Sequence, residues 1–192
     1  MKTYEYELDI PDIELAISKL DKIEKAIKSV SLLKYIANQC KKELKIISKN
    51  SLSTINSKED IDKSLYMNSN KIEINYENME IILYNDSEIN ISEKNISPEK
   101  RANYPLKLSL AQIVEFGIGY TGSINANSEV PSSWNYDVNN HGYKGWYYKD
   151  NLGNLHLTNG YAGRYIYLKL KKYVEKNAQQ WVIDYMNDKI KD

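Results

Sequence analysis

The sequence predicts an α+β fold: an antiparallel β-sheet packed by an N-terminal helix pair and a long C-terminal helix. Three observations carry this. Apolar residues recur at spacings of three and four near both ends of the chain, the repeat that lays a stripe along a helix. Between Lys71 and Tyr84 the period drops to two, as expected of strands with one covered face. The helical and strand segments are grouped rather than alternating, which favours helices on one side of an antiparallel sheet. One domain is expected over residues 1–192, with the helix pair at about 12–49, a sheet-and-loop region at about 70–160 and the last helix at about 164–190.

The first helix is expected from Pro11 or Asp12 to residue 29. Ile13, Ala16, Ile17, Leu20, Ile23, Ile27 and Val30 form its stripe. Asp12 is suited to cap the free amides, with Pro11 just outside. The second helix is expected over residues 31–48, with Leu33, Ile36, Ala37, Cys40, Leu44 and Ile47 as its stripe. Cys40 lies on that stripe and reads as a small core residue, since no basic cluster is placed to activate its thiol. A polar stretch follows, with a short helix around residues 60–65. Ile72, Ile74 and Tyr76, then Met79, Ile81 and Leu83, make the two strands of a hairpin turning at Glu77-Asn78.

Residues 86–103 read as a polar connection. The apolar segment 106–116 reads as a short helix or a strand, and it breaks at Gly117 and Gly119. A polar loop from Thr121 to about Gly142 is long enough to suggest a functional role. Residues 144–149 and Leu155 to Thr158 form a second hairpin around Asp150-Asn151-Leu152-Gly153-Asn154. The final helix carries Ile166, Leu170, Tyr173, Val174, Ala178, Trp181, Val182, Tyr185 and Met186 on a broad apolar face.

Composition narrows the function. The 192 residues are 42% hydrophobic, with 26 basic and 26 acidic side chains. Zero net charge argues against a nucleic-acid binder driven by bulk charge. No apolar run approaches the roughly 18 residues of a membrane span, and the start of the chain lacks the apolar core of a secretory signal. Folding in a cytoplasm and no membrane partner are therefore expected. A single cysteine excludes an intramolecular disulfide and an all-cysteine metal site. His141 and His156 stand apart without the carboxylate spacing of a metal centre, and both read as ordinary structural histidines. Nucleophile elbow, phosphate-loop and dinucleotide fingerprints are absent. The Gly117-x-Gly119 pair lacks the signature of a following helix, so it makes a weak phosphate cradle. No catalytic residue, metal or cofactor is expected, and the chain reads as a non-enzyme. Tyrosine is abundant at 17 against one phenylalanine. That bias follows from an AT-rich coding genome or from an interface built of amphipathic rings.

Two blocks carry more than turns. The first is Ile113-Val114-Glu115-Phe116-Gly117-Ile118-Gly119. The second is Trp146-Tyr147-Tyr148-Lys149-Asp150-Asn151-Leu152-Gly153-Asn154, with the return segment Leu155-His156-Leu157-Thr158-Asn159-Gly160. On a strand, Trp146 and Tyr148 share one face and Tyr147 takes the other. The aromatic cassette alone is compatible with hairpin packing or with base stacking on single strands. It also looks like one repeat of a choline-binding cell-wall module, although such modules need several stacked copies.

In this order, with the loop between them and a helix after, the blocks resemble the tail-completion or neck proteins of long-tailed bacteriophages. The first block is similar to a Tyr-Val-Glu-Phe-Gly-Thr-Gly pattern, with Ile118 in place of Thr. The second is similar to Gly-Trp-Tyr-Tyr-x-Asp-x-x-Gly. The family's Asp-Thr-Gly-x-Leu motif is missing from residues 57–65, and Gly163-Arg164-Tyr165-Ile166 stands where the family has Pro-Phe before its last helix. The resemblance implies a virion protein made in the host bacterial cytoplasm. It implies a homo-oligomeric ring, hexamer or dodecamer, that joins the head–tail connector to the tail tube or tail terminator and through which DNA passes. The expected interface residues are Glu115, Phe116, Gly117, Gly119, Trp146, Tyr147 and Tyr148. The alternative is a non-enzymatic module whose aromatic hairpin binds cell-wall glycan or another host ligand.

Overall fold

Long helices from the two ends of the chain set the frame. In the computed structural model, described over residues 10–27, 29–55, 62–90, 107–138, 144–149 and 155–191, helix α1 spans Ile10–Ile27 and α2 spans Val30–Ser53. The last helix, α6, spans Ile166–Lys191. Helix α1 begins early enough to place Pro11 in its first turn, where a missing N–H leaves no helix bond unmade. Ser29 caps α2: its Oγ accepts from the Leu32 amide at 3.3 Å. Helix α2 also runs about a turn further than its apolar stripe suggested, because Ser51 and Leu52 are buried there.

Helices α2 and α6 are tied at both ends. Ser31 and Tyr185 hydroxyls lie 2.6 Å apart, and Lys169 Nζ donates to Ser51 Oγ at 3.0 Å. Between these ties sit two cores. The larger joins Leu44, Leu52 and Ile55 to Tyr66, Leu110, Val114, Ile166 and Leu170. The smaller joins Leu32 to Tyr185 and Met186, with Ile23 of α1 packed against it. Full burial of a leucine or isoleucine contributes about 1.5–3 kcal/mol, so the larger cluster dominates the packing. Cys40 is buried on the covered stripe of α2, and burial pushes its thiol pKa up.

Smaller elements surround this frame. Helix α3, Lys63–Asn68, is capped by Asp62, which accepts from the Leu65 amide at 2.8 Å, and it delivers Tyr66 to the core. Strands β1 (Asn70–Asn75) and β2 (Glu80–Asn85) form the expected hairpin, with Ile72 opposite Leu83 and Ile74 opposite Ile81. Its half-buried face lies over α2. Strand β3, Glu88–Asn90, pairs with β4, Lys107–Ser109. The apolar segment near residue 110 is thus both alternatives in turn: strand β4, then helix α4 at Leu110–Phe116.

The chain is α+β. Among the described residues the strands pair in four separate two-stranded antiparallel sheets instead of one continuous sheet. A two-stranded ribbon is marginal alone, so each depends on a helix or loop beneath it.

Tyr66 is fully buried and its hydroxyl has no hydrogen-bond partner. Burial raises its pKa far above the ordinary phenol value, and the Glu115 carboxylate adds to the rise; Tyr167 is raised by burial and Glu115 in the same way. Both phenols ionise at higher pH folded than unfolded. Their contribution is complete below about pH 10 and is lost as pH rises beyond that. Thermal melts from about pH 8 to about pH 11 should show this decline. Tyr66→Phe removes an unpaired hydroxyl, so it should leave stability unchanged or raise it by about 1 kcal/mol and soften the alkaline decline.

Candidate functional site

The two sequence blocks meet backbone to backbone. Strand β5, Gly117–Ile118, pairs antiparallel with β8, Tyr161–Ala162, with Gly117 opposite Ala162 and Ile118 opposite Tyr161. This approach needs glycine. A Cβ on Gly160, at φ +85°, would run into the Ile118 carbonyl oxygen, and one on Gly117, also at φ +85°, would stand 2.6 Å from both Gly163 N and Tyr161 O. Positive φ is open to glycine at no steric cost, and Gly117 also closes α4 as its C-cap, donating its amide to Ile113 O.

Beyond Gly163 the chain runs along the end of α4, and two helix termini satisfy each other. The amides of Arg164 and Tyr165 donate to the Val114 and Glu115 carbonyls at 2.7 and 3.2 Å. These carbonyls lie in the last turn of α4, where no intrahelical donor remains. In return, the Glu115 carboxylate caps α6. Oε2 accepts from Ile166 N at 2.7 Å, Oε1 accepts from Leu168 N at 3.1 Å, and both oxygens accept from Tyr167 N. Those are the first three amides of α6, and a negative charge at a helix N-terminus is favourable. Burial raises the Glu115 pKa, while the three amides and nearby Lys169 pull against that rise.

The segment after Gly119 folds over this junction. A six-residue helix, α5 at Gly119–Ile124, follows directly, although no helix signature marks it in the sequence. Trp134 Nε1 donates to Gly117 O at 3.1 Å, and the Gly119 amide donates to Tyr136 O at 2.8 Å. The Trp134 ring lies 5.4 Å from Phe116 and 6.5 Å from Tyr136. Tyr165, at φ +51°, donates its hydroxyl to Asn125 O and accepts from the Asn127 amide. Bonds of this kind hold a side chain in a backbone region that non-glycine residues avoid. Residues 125–138, expected as open loop, are thereby tied down; 139–143, with His141, lie outside the described residues.

Above the junction stands the second hairpin, β6 (Trp146–Lys149) with β7 (Leu155–Thr158). Tyr147 pairs with Leu157 and Tyr148 with His156. Trp146 is half-buried, with its ring 3.0 Å from where a Cβ on Gly119 would lie. His156 and Thr158 are also half-buried. The other face is bare: Tyr147, Leu155 and Leu157 are 63%, 62% and 60% exposed. Side-chain alternation puts these three on one outer face.

The expected interface set therefore divides. Glu115, Gly117 and Gly119 are buried and occupied within the chain, and Phe116 is half-buried against Trp134. They build the support beneath the second hairpin. Trp146 faces inward, Tyr147 faces outward, and the Tyr148 side chain lies outside the described residues, as does the turn 150–154. Leu155 and Leu157 were read only as a return strand; their alternation with His156 and Thr158 was the available signal for an outward face. The Glu115 cap left no local signal, because its three donors lie 51 to 53 residues away. Among the described residues no group of three or more His, Cys, Asp or Glu side chains could hold a metal, and no helix is long and apolar enough to cross a membrane. Comparison with protein-family models, with curated proteins and with solved structures finds no match.

Two substitutions test the junction by urea unfolding. Glu115→Ala leaves three helix amides uncapped and should cost about 2–4 kcal/mol. Gly160→Ala forces a Cβ into the Ile118 carbonyl at positive φ and should cost at least about 3 kcal/mol. If either variant lies within about 0.5 kcal/mol of the parent, the junction does not hold the fold.

Proposed function

We propose that this chain is a structural subunit of the head–tail junction of a long-tailed bacteriophage, working as a ring that joins the tail tube to the capsid connector. One observation carries the reading: the outer face of the β6–β7 ribbon presents Tyr147, Leu155 and Leu157 to solvent on a tightly bonded support. A grouped apolar face is costly to leave in water and suits a lasting protein contact. The blocks that resemble the neck proteins supply both parts of this device, the support from residues 113–119 and the ribbon from residues 146–160.

A ring subunit works by shape. It has to hold its contact surfaces at fixed angles, so that successive copies close instead of spiralling. The paired termini of α4 and α6 and the glycine crossing suit that demand. No bond-making step is part of the role. DNA passing through the ring is consistent with a balanced net charge, which avoids strong non-specific retention. The ribbon also favours a protein partner over a glycan, because Trp146 lies against Gly119 and leaves Tyr147 as its outward aromatic among the described side chains.

The experiment is co-sedimentation of the purified chain with isolated tail tubes and with tail-free capsids. Incorporation with tubes or capsids is expected. Tyr147→Ala combined with Leu157→Ala should abolish it while unfolding stability stays within about 0.5 kcal/mol, as for exposed positions. A chain that ignores tubes and capsids but binds cell-wall glycan contradicts the reading.

A further inference from the structure

Charge that balances over the whole chain is unbalanced on α2. The helix holds Lys34, Lys41, Lys42, Lys45 and Lys49 against one acid, Glu43. At about 100° per residue the five lysines fall within an arc of roughly 100°, and Glu43 stands outside it, turned toward Tyr173 of α6. All five are exposed, and none is in an ion pair among the described residues. Like charges at spacings of three and four, as in Lys42–Lys45 and Lys41–Lys45, work against a helix. The core on the opposite side of α2 gains nothing from that repulsion.

Beside this stripe lies a groove. Two cavities of about 310 and 260 Å³ open between α2 and β1 and share Lys41 and Ile72, so they are successive stretches of one channel. Lys34, Lys41 and Lys45 stand along its helix side, over a floor that includes Ile72, Ile74 and Met67. Asn38, Asn68 and Asn70 add amides, and no carboxylate lines it among the described residues. Tyr76, 49% exposed, lies near Lys34, whose ammonium is 6.0 Å from the ring centre.

We infer that this groove seats single-stranded nucleic acid, with phosphates on the three lysines and sugar and base against the apolar floor. Lysine meets phosphate as a point charge, and a positive groove beside flat rings is the arrangement that binds single strands without sequence preference. From Lys34 to Lys45 the helix rises about 17 Å, which is room for a few nucleotides. A duplex keeps its bases stacked inside and leaves the floor unused. A bilayer surface requires an apolar face beside the lysines, whereas Leu33, Ala37, Cys40 and Leu44 of α2 are buried in their own chain. Three phosphate contacts make a weak, salt-sensitive grip, compatible with zero net charge. The inference does not rest on the head–tail reading.

Fluorescence anisotropy of the full chain with labelled oligothymidylate tests this. Binding is expected at about 50 mM salt, with a log–log salt slope of about −2, since each neutralised phosphate of a single strand gives roughly −0.7. Reversing Lys34, Lys41 and Lys45 to Glu should weaken it at least tenfold. The same reversal at Lys22, Lys172 and Lys176, exposed lysines outside the groove, should change it less than twofold. Lys41→Gln alone should flatten the slope by about 0.7, which reads the contact even if the triple variant unfolds. An abasic strand of equal length should bind at least threefold more weakly. No binding, equal loss in both triple variants, or an abasic strand or duplex that binds as tightly as oligothymidylate overturns the inference. Preference for polyglutamate or for phosphatidylserine vesicles overturns it in favour of an acidic protein or a membrane.

Discussion

The fold depends on one carboxylate meeting three amides. Helix α6 runs the length of both cores, supplying Ile166 and Leu170 to one and Tyr185 and Met186 to the other. Its first amides have no acceptors within the helix. Glu115 supplies them from α4, and the carbonyls at the end of α4 receive Arg164 and Tyr165 in exchange. A buried charge is costly without such bonding. The arrangement therefore constrains both helices, and it accounts for the order in which the surrounding pieces fit. Gly117 and Gly160 let the strands cross closely enough for the exchange, and Trp134 closes over the top by bonding to Gly117.

The candidate interface is a consequence of that constraint. The β6–β7 ribbon is too small to be stable alone, and Trp146 seats it against Gly119. With one face anchored, the other has a defined position, and Tyr147, Leu155 and Leu157 are held outward together. The support and the contact surface are thus distinct. Side chains that attract notice in the sequence, such as Glu115 and Phe116, belong to the support. The surface itself joins Tyr147 of the aromatic block to two leucines from a strand with little local distinction.

Legibility in the sequence followed the range of the forces involved. The helices at both ends and the β1–β2 hairpin were readable because their periodicity reports a local choice of covered face. Cys40 was placed correctly in the core for the same reason. Helix α2 starts at Val30, one residue before the expected position, with Ser29 as its cap. What could not be read was pairing at a distance. The strands at Glu88–Asn90 and Tyr161–Ala162 are three and two residues long, too short to show a period. Helix α5 contains two glycines, a threonine and a serine in six residues, and it is held by Tyr136 O and Asn159 O on its first turn more than by propensity. The role of Glu115 required knowing that residue 166 returns to it. The glycines were visible as breaks, but their close crossing emerged only with the fold.

The central claim is that the bare ribbon seats this chain at the junction between tail and head. Electron microscopy of tail tubes incubated with gold-labelled chain tests it most directly. Label at one end of each tube, lost when Tyr147 and Leu157 are both alanine, is the predicted result. Label spread along the tubes, or absent from them while the double variant and parent behave alike, would contradict it.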